Sequence, residues 1–277
     1  MTLSRDDIAA RLAEAGYIAD AELATAIAIM QLLKRPLLLE GAAGVGKTEV
    51  ARALAHLHGT ELIRLQCYEG LDQSAALYEW NYQRQLLAIE AHKDTSDPDR
   101  IEDEVFSEKY LLERPLLAAI RRAKPPVLLI DEAQEMSPAV LSELRLMASA
   151  KFDSQSLLCV VLAGDARLPE KLRREELIPL GSRIRTRLAT EAASREELLA
   201  CLQHLVSAAG SASLMSAALM HTLCDHAVGN YRILTTMAAE LLAVAAHRDL
   251  PQLDEKLYLE VFAPPETVAP RRASARR

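Results

Sequence analysis

Apolar residues recur with helical spacing from Asp6 to Ala15, a run closed by Gly16, and again from Ala21 to Lys34. The pattern then changes to short, nearly continuous apolar runs at Pro36 to Glu40, Glu61 to Gln66, Val127 to Asp131, Leu157 to Ala163 and Arg185 to Ala189, separated by helical segments. Short strands apolar on both faces and alternating with helices predict a parallel sheet covered on two sides, an α/β fold of three αβα layers. From Ser194 the strands stop. Ser194-Arg-Glu-Glu197 is a capping box that opens a helix, and helical runs follow near Met215 to Val228 and Tyr231 to His247. The expected organisation is an N-terminal helix over 1–20, an αβα core over 21–192, a small helical lid domain over 193–263 and a disordered, basic tail over 264–277.

Two stretches interrupt this grammar. Residues 94–108 hold seven Asp or Glu and one Arg, with Pro98 among them, and are expected to form an acidic, solvated loop inserted in the core. Leu77 to Ile89 reads as a helix with an aromatic-rich apolar face that contains the only Trp. Packing into the core is the expected use of that face, with partner docking as the alternative.

Composition narrows the function classes. Half the residues are apolar and only 4% aromatic, which favours helices and short buried strands over an all-β sandwich. The formal charge is −7, but the last fourteen residues carry four Arg against one Glu, so the rest of the chain carries −10. That is not the footprint of a protein gripping DNA over its whole surface, although a local basic patch would still suffice. Cys67, Cys159, Cys201 and Cys224 lack metal-ligand spacing, as do His56/His58 and His221/His226, so reduced thiols and no zinc site are expected. The first thirty residues include Asp6, Asp7, Glu14, Asp20 and Glu22, unlike a signal or targeting peptide, and no apolar run approaches a membrane span. A cytoplasmic protein without membrane partners is the expectation.

The chemistry concentrates in two segments. Gly41-Ala42-Ala43-Gly44-Val45-Gly46-Lys47-Thr48 matches G-x-x-x-x-G-K-[ST], directly after a strand and directly before a helix. Its glycines let backbone N–H groups turn inward around phosphates, and the helix N-terminus adds the positive end of its dipole. Lys47 is placed to reach the terminal phosphates, the Thr48 hydroxyl to ligate Mg²⁺, and Glu49 to complete the nucleotide-binding set. Val127-Leu-Leu-Ile130-Asp131-Glu132 delivers two carboxylates at a strand's C-terminal end, where open parallel sheets bind ligands. Asp131 suits Mg²⁺ and Glu132 suits polarising the attacking water; capping the next helix is the plainer use of both. A P-loop NTPase fold with bound ATP and Mg²⁺ follows. Gln134, beside Glu132, suits either a nucleotide-state sensor or a polar helix start.

With these two segments in place the chain, from about Ala21 to Phe262, resembles the AAA+ ATPases. The resemblance implies a sensor at Asp165 in Leu162-Ala-Gly-Asp165, although Asn or Thr is commoner there. It also implies a lid arginine at Arg232 in Gly229-Asn-Tyr-Arg232, and a finger reaching a neighbouring subunit's nucleotide at Arg183, with Arg185 as second choice. For each Arg of 165–187, a stretch with seven Lys or Arg against four acids, a solvent-facing loop is an equal reading. Arg64-Leu-Gln-Cys67-Tyr-Glu-Gly70-Leu-Asp72 with Ala76-Leu-Tyr-Glu79-Trp80-Asn-Tyr82 looks like the MoxR-type ATPases, which are chaperone-like. Asp131-Glu-Ala-Gln134-Glu-Met-Ser137 and the segment from Leu162 to Arg187 are similar to ExeA-like ATPases, whose relatives assist transposases or secretion machinery. The implied function is an ATP hydrolase, working as a homo-oligomer, that remodels or recruits a protein partner. The alternatives are an ATP-gated DNA-binding adaptor assisting a transposase and a nucleotide-binding regulator with little turnover.

Overall fold

The computed structural model describes residues 3–91, 98–147, 149–150, 155–156, 158–211 and 213–262, and the chain divides into two compact units, Met1–Glu191 and Ala192–Arg277. In the first unit five strands form one sheet: β1 (Leu37–Gly41), β2 (Leu62–Gln66), β3 (Val127–Asp131), β4 (Cys159–Gly164) and β5 (Thr186–Thr190). They lie in the order β2-β3-β4-β1-β5, and every pairing is parallel. Alternation along the strands builds two cores. Leu38, Leu65, Leu128, Ile130, Val160 and Leu162 face one helical layer. Leu37, Leu39, Val127, Leu129, Val161 and Ala163 face the other. Because side chains alternate across a pleated strand, strands apolar at successive positions need helices on both sides, and the αβα expectation holds.

The second core takes in the N-terminal helix. α1 (Arg5–Glu14) starts at a Ser4–Asp7 capping box, and its Ile8 and Leu12 pack with α2 (Ala21–Leu33) and α3 (Lys47–His58) against the sheet. α2 stops at Lys34, whose left-handed φ of 51° turns the chain into Pro36 and β1.

The two interrupting stretches differ from their expectations. Residues 77–89 are not one helix: Tyr78–Trp80 is a strand paired antiparallel with Leu111–Glu113, and a helix runs from Tyr82 to Ala91. Tyr and Trp suit a pleated strand, and a partner strand that begins 31 positions after Trp80 captures them. The apolar side of the helix does not enter the core either. Tyr82, Leu86 and Leu87 are exposed, whereas Gln85 is buried and its side-chain amide donates to the Val105 carbonyl at 2.7 Å. Within the acidic stretch, Pro98–Val105 is a helix rather than a loop, while 94–97 lie outside the described residues. Pro98 occupies its first turn, where a missing N–H costs nothing.

The second unit is helical: Arg195–Ala208, Ala217–Ala227, Tyr231–His247 and Glu255–Phe262. Its core includes Leu198, Leu202, Leu219, Leu223, Leu234, Leu241 and Leu257. Ser194, Ser216 and Asn230 cap the first three helices, the Ser194–Glu197 box forming as its spacing predicts. The tail from 264 lies outside the described residues. No helix among those described is long and apolar enough to cross a membrane.

Candidate active site

Parallel strands all end on one side of the sheet, so β1, β3 and β4 deliver their C-terminal residues to a common edge. At the end of β1 the chain turns through Gly44 and Gly46, at φ 85° and 98°, a left-handed conformation that favours glycine. That turn aims the N-terminus of α3 at the loop. Lys47, the first residue of α3, is buried, and its ammonium donates to the Gly41 carbonyl at 2.5 Å and the Ala42 carbonyl at 2.7 Å. A buried cation folded onto its own loop is poised to exchange carbonyl partners for phosphate oxygens. Ala42 and Ala43 are exposed and Val45 is buried; Glu49 faces outward and pairs with Arg52 at 3.0 Å.

The acidic pair meets this loop. The Thr48 hydroxyl donates to Asp131 Oδ2 at 3.2 Å across 83 residues of sequence. Asp131 is 4% exposed, and its Oδ1 also accepts the Glu132 backbone N–H at 3.2 Å. The donor set of one hydroxyl and one carboxylate oxygen suits a hard divalent cation, so Thr48 and Asp131 fit Mg²⁺. The carboxylate already carries a positive neighbour. Arg64 of β2 donates to Asp131 Oδ2 from Nη2 at 2.5 Å and Nε at 3.1 Å, and also bonds Gln66. Sequence reasoning gave Arg64 no role. Its signal was a charged residue within a sheet strand, but the contact depends on β2 lying beside β3 with Gln66 opposite Asp131.

Glu132 follows with a left-handed φ of 54°, uncommon for a residue with a side chain. Its Oε2 accepts the Gln134 side-chain amide at 2.6 Å. At the end of β4, Asp165 is bound by Arg167, whose Nε and Nη2 reach its Oδ2 at 2.9 and 2.7 Å. The hydrogen bond from Arg167 holds the Asp165 carboxyl below the usual range, with Lys47 adding a smaller effect. Arg167, a second residue missed in the sequence, also pairs with Glu135 at 2.7 Å. Lys171 donates to the carbonyls of Gln134 and Met136, and burial lowers its pKa.

The arginines assigned by resemblance belong to both units. Arg183 is half-buried just past Gly181, whereas Arg185, immediately before β5, is exposed. Arg232 belongs to the second unit, where it is exposed in the first turn of its helix and its backbone N–H is capped by Asn230 at 3.0 Å.

A protein-family profile described as an AAA domain matches residues 31–172, which take in the phosphate loop, both carboxylates and β4. The chain belongs to the AAA domain family. The matched range extends to both sides of Asp131 and Glu132. The MoxR-type likeness of residues 64–82 is no part of what the comparisons show. Over 175 residues, 62% of the chain, the AAA protein is 32% identical to general secretion pathway protein A of Aeromonas hydrophila. It spans only 30% of that relative's length. Among solved structures, the fold is similar to the RuvB Holliday junction branch migration motor of Thermotoga maritima, with a TM-score of 0.54 at 16% identity, covering 86% of this chain and 65% of that one. It is also similar to the ORC2 protein of Aeropyrum pernix in its ADP form, with a TM-score of 0.53 at 14% identity, covering 86% and 66%.

Proposed function

We propose that this AAA protein hydrolyses ATP and uses the reaction, as a homo-oligomer, to remodel or recruit a protein partner. The observation that supports it most is the Thr48–Asp131 hydrogen bond, which joins the phosphate loop to the carboxylate strand. In this reading the loop N–H groups of 41–48 and Lys47 bind the phosphates of ATP, while Thr48 and Asp131 hold Mg²⁺. When bound, the ion supplies charge neutralisation for the phosphates. Glu132 orients a water and accepts its proton as the water oxygen bonds to the terminal phosphorus and the bond to ADP breaks. The paired Asp165 and Arg167 sit at the sensor position, and the Arg167 guanidinium supplies donors that an Asp alone lacks. Arg232 serves as the lid arginine. Arg183 supplies charge to a neighbouring subunit's nucleotide, with Arg185 as the alternative. Similarity to a general secretion pathway protein favours a protein component of a secretion system as the partner.

The reading as an ATP-gated DNA-binding adaptor finds less support. Of the seven basic residues in 165–187, Arg167 and Lys171 are committed to internal partners. The structural likeness to RuvB shows the fold alone.

Purified protein is expected to release phosphate from ATP at steady state only with Mg²⁺ present, and calorimetry is expected to show saturable ATP binding. Absence of binding heat with ATP and Mg²⁺ would overturn the proposal, and binding without turnover would reduce it to a nucleotide-binding regulator. The role in trans has its own check. Mixing Arg183→Ala subunits, which bind ATP, with Lys47→Ala subunits, which keep Arg183, is expected to restore part of the hydrolysis that each lacks alone. No recovery at any mixing ratio would remove Arg183 as the finger.

A further inference from the structure

We propose that Gln134 is a positioning residue: it aims the Glu132 carboxylate and ties that aim to the end of β4. The inference rests on the reading of Glu132 as the group that orients water, and it extends that reading to the Gln134 side chain.

The geometry is specific. Gln134 is 8% exposed, and both ends of its amide are used. Its Oε1 accepts the Asp165 backbone N–H at 3.3 Å, which fixes the amide so that its NH₂ group faces Glu132 and donates to Oε2 at 2.6 Å. The carbonyl of Gln134 is held in turn by the Lys171 ammonium at 2.7 Å. One buried amide thus bridges the ends of two neighbouring strands, β3 and β4, whose tips carry Glu132 and Asp165.

Two further features show that the bridge is built into the fold. Residue 164 is glycine, and a Cβ there would stand 2.5 Å from Gln134 Oε1 and 2.8 Å from Leu168 Cδ2, so the last residue of β4 leaves room for the amide. Glu132 has a left-handed backbone and is only partly buried, so its carboxylate depends on a side-chain partner for orientation. A glutamate that must place one water needs such a constraint, because a carboxylate free to rotate presents the right geometry only part of the time. Of the two uses open to a Gln at this spacing, the capping use is excluded, since its side chain bonds the Glu132 carboxylate and the Asp165 N–H rather than a backbone N–H of its own helical turn.

Three variants test this. Gln134→Met fills the volume without hydrogen bonds. Gln134→Glu keeps an acceptor for the Asp165 N–H but offers Glu132 a like charge in place of a donor. Gly164→Ala pushes the amide from its seat. Each is expected to lower kcat for ATP by roughly tenfold to a hundredfold, part of what a general base contributes. KM and the calorimetric affinity for ATP are expected to stay within about threefold, because no phosphate-binding group moves. In a Glu132→Gln background the same changes are expected to add nothing, since residues acting as a unit are non-additive. Gln134→Met or Gln134→Glu turning over at the wild-type rate would overturn the proposal, as would full additivity with Glu132→Gln.

A second readout does not depend on turnover. The Gln134 side-chain amide resonances, assigned in isotope-labelled protein by their loss in Gln134→Met, are expected to shift in Glu132→Ala and in Gly164→Ala. Unmoved resonances in both would reject the bridge even if the protein proves to hydrolyse nothing. A wild-type rate for Glu132→Gln, with the resonances shifting as expected, would instead count against the catalytic reading and leave the bridge standing.

Discussion

Replacing Glu132 with Gln is expected to cut ATP hydrolysis by about 10²- to 10⁴-fold while leaving ATP binding nearly intact, and replacing Lys47 with Ala is expected to lose both. The two outcomes differ because the groups act at different points. Glu132 follows the strand that carries Asp131, and its role concerns the water, which reaches its full interaction only as the bond to phosphorus forms. An amide keeps its size and its hydrogen-bonding capacity but cannot take the proton. Lys47 is a buried cation whose ammonium now satisfies the Gly41 and Ala42 carbonyls, and binding ATP trades these neutral acceptors for charged ones. Its removal costs ground-state and transition-state binding alike. Calorimetry and phosphate release on both variants separate the cases. Wild-type hydrolysis by Glu132→Gln would remove it as the base, and undiminished binding by Lys47→Ala would place the phosphates elsewhere.

Gly41→Ala is expected to destabilise the first unit by about 3 kcal/mol or more, near or beyond the upper end of ordinary overpacking costs. The cause is not backbone freedom but space. β1 and β5 are paired in parallel with Gly41 opposite Thr190, and a Cβ at 41 would lie 2.2 Å from Thr190 Oγ1 and 2.4 Å from the Thr190 carbonyl oxygen. The hydroxyl has little room to move aside, because it donates to the Glu40 carbonyl at 2.9 Å. A backbone oxygen can yield only if the strands separate, which would also displace the phosphate loop where it begins. In thermal unfolding the midpoint is expected to fall by roughly 6–12 °C, from a shift of about 2–4 °C per kcal/mol for a domain of this size. An unchanged midpoint would show that β1 and β5 are not packed this closely at residue 41.

Elements whose causes lie within one turn or one strand were legible in the chain. The capping box at Ser194 joins residues three apart, so its spacing suffices to place that helix start. The strand runs were recognisable because burial on both faces leaves no polar alternation. The loop of 41–48 was legible for a similar reason: glycine positions, a lysine and a threonine are all set by local backbone geometry.

Reading the helix of 82–91 failed at the next level. An apolar face says that a helix has something to bury, not that the fold supplies a neighbour, and here Leu86 and Leu87 remain exposed while Gln85 is enclosed. Arg167 was one of a basic stretch read equally as finger or solvent-facing loop, whereas it pairs with Asp165 and Glu135 at the end of β4.

What the sequence determined by itself was the kind of chemistry: a phosphate cradle, a strand ending in two carboxylates, and an αβα sheet to hold both. What only the tertiary structure decided was which side chains share that edge. Thr48 and Arg64 converge on one oxygen of Asp131, and Gln134 spans from Glu132 to Asp165. The physical reason is strand order and register: contacts between residues 83, 67 and 31 positions apart exist only because β4 lies between β1 and β3 and β2 lies beside β3, an arrangement that no local spacing encodes.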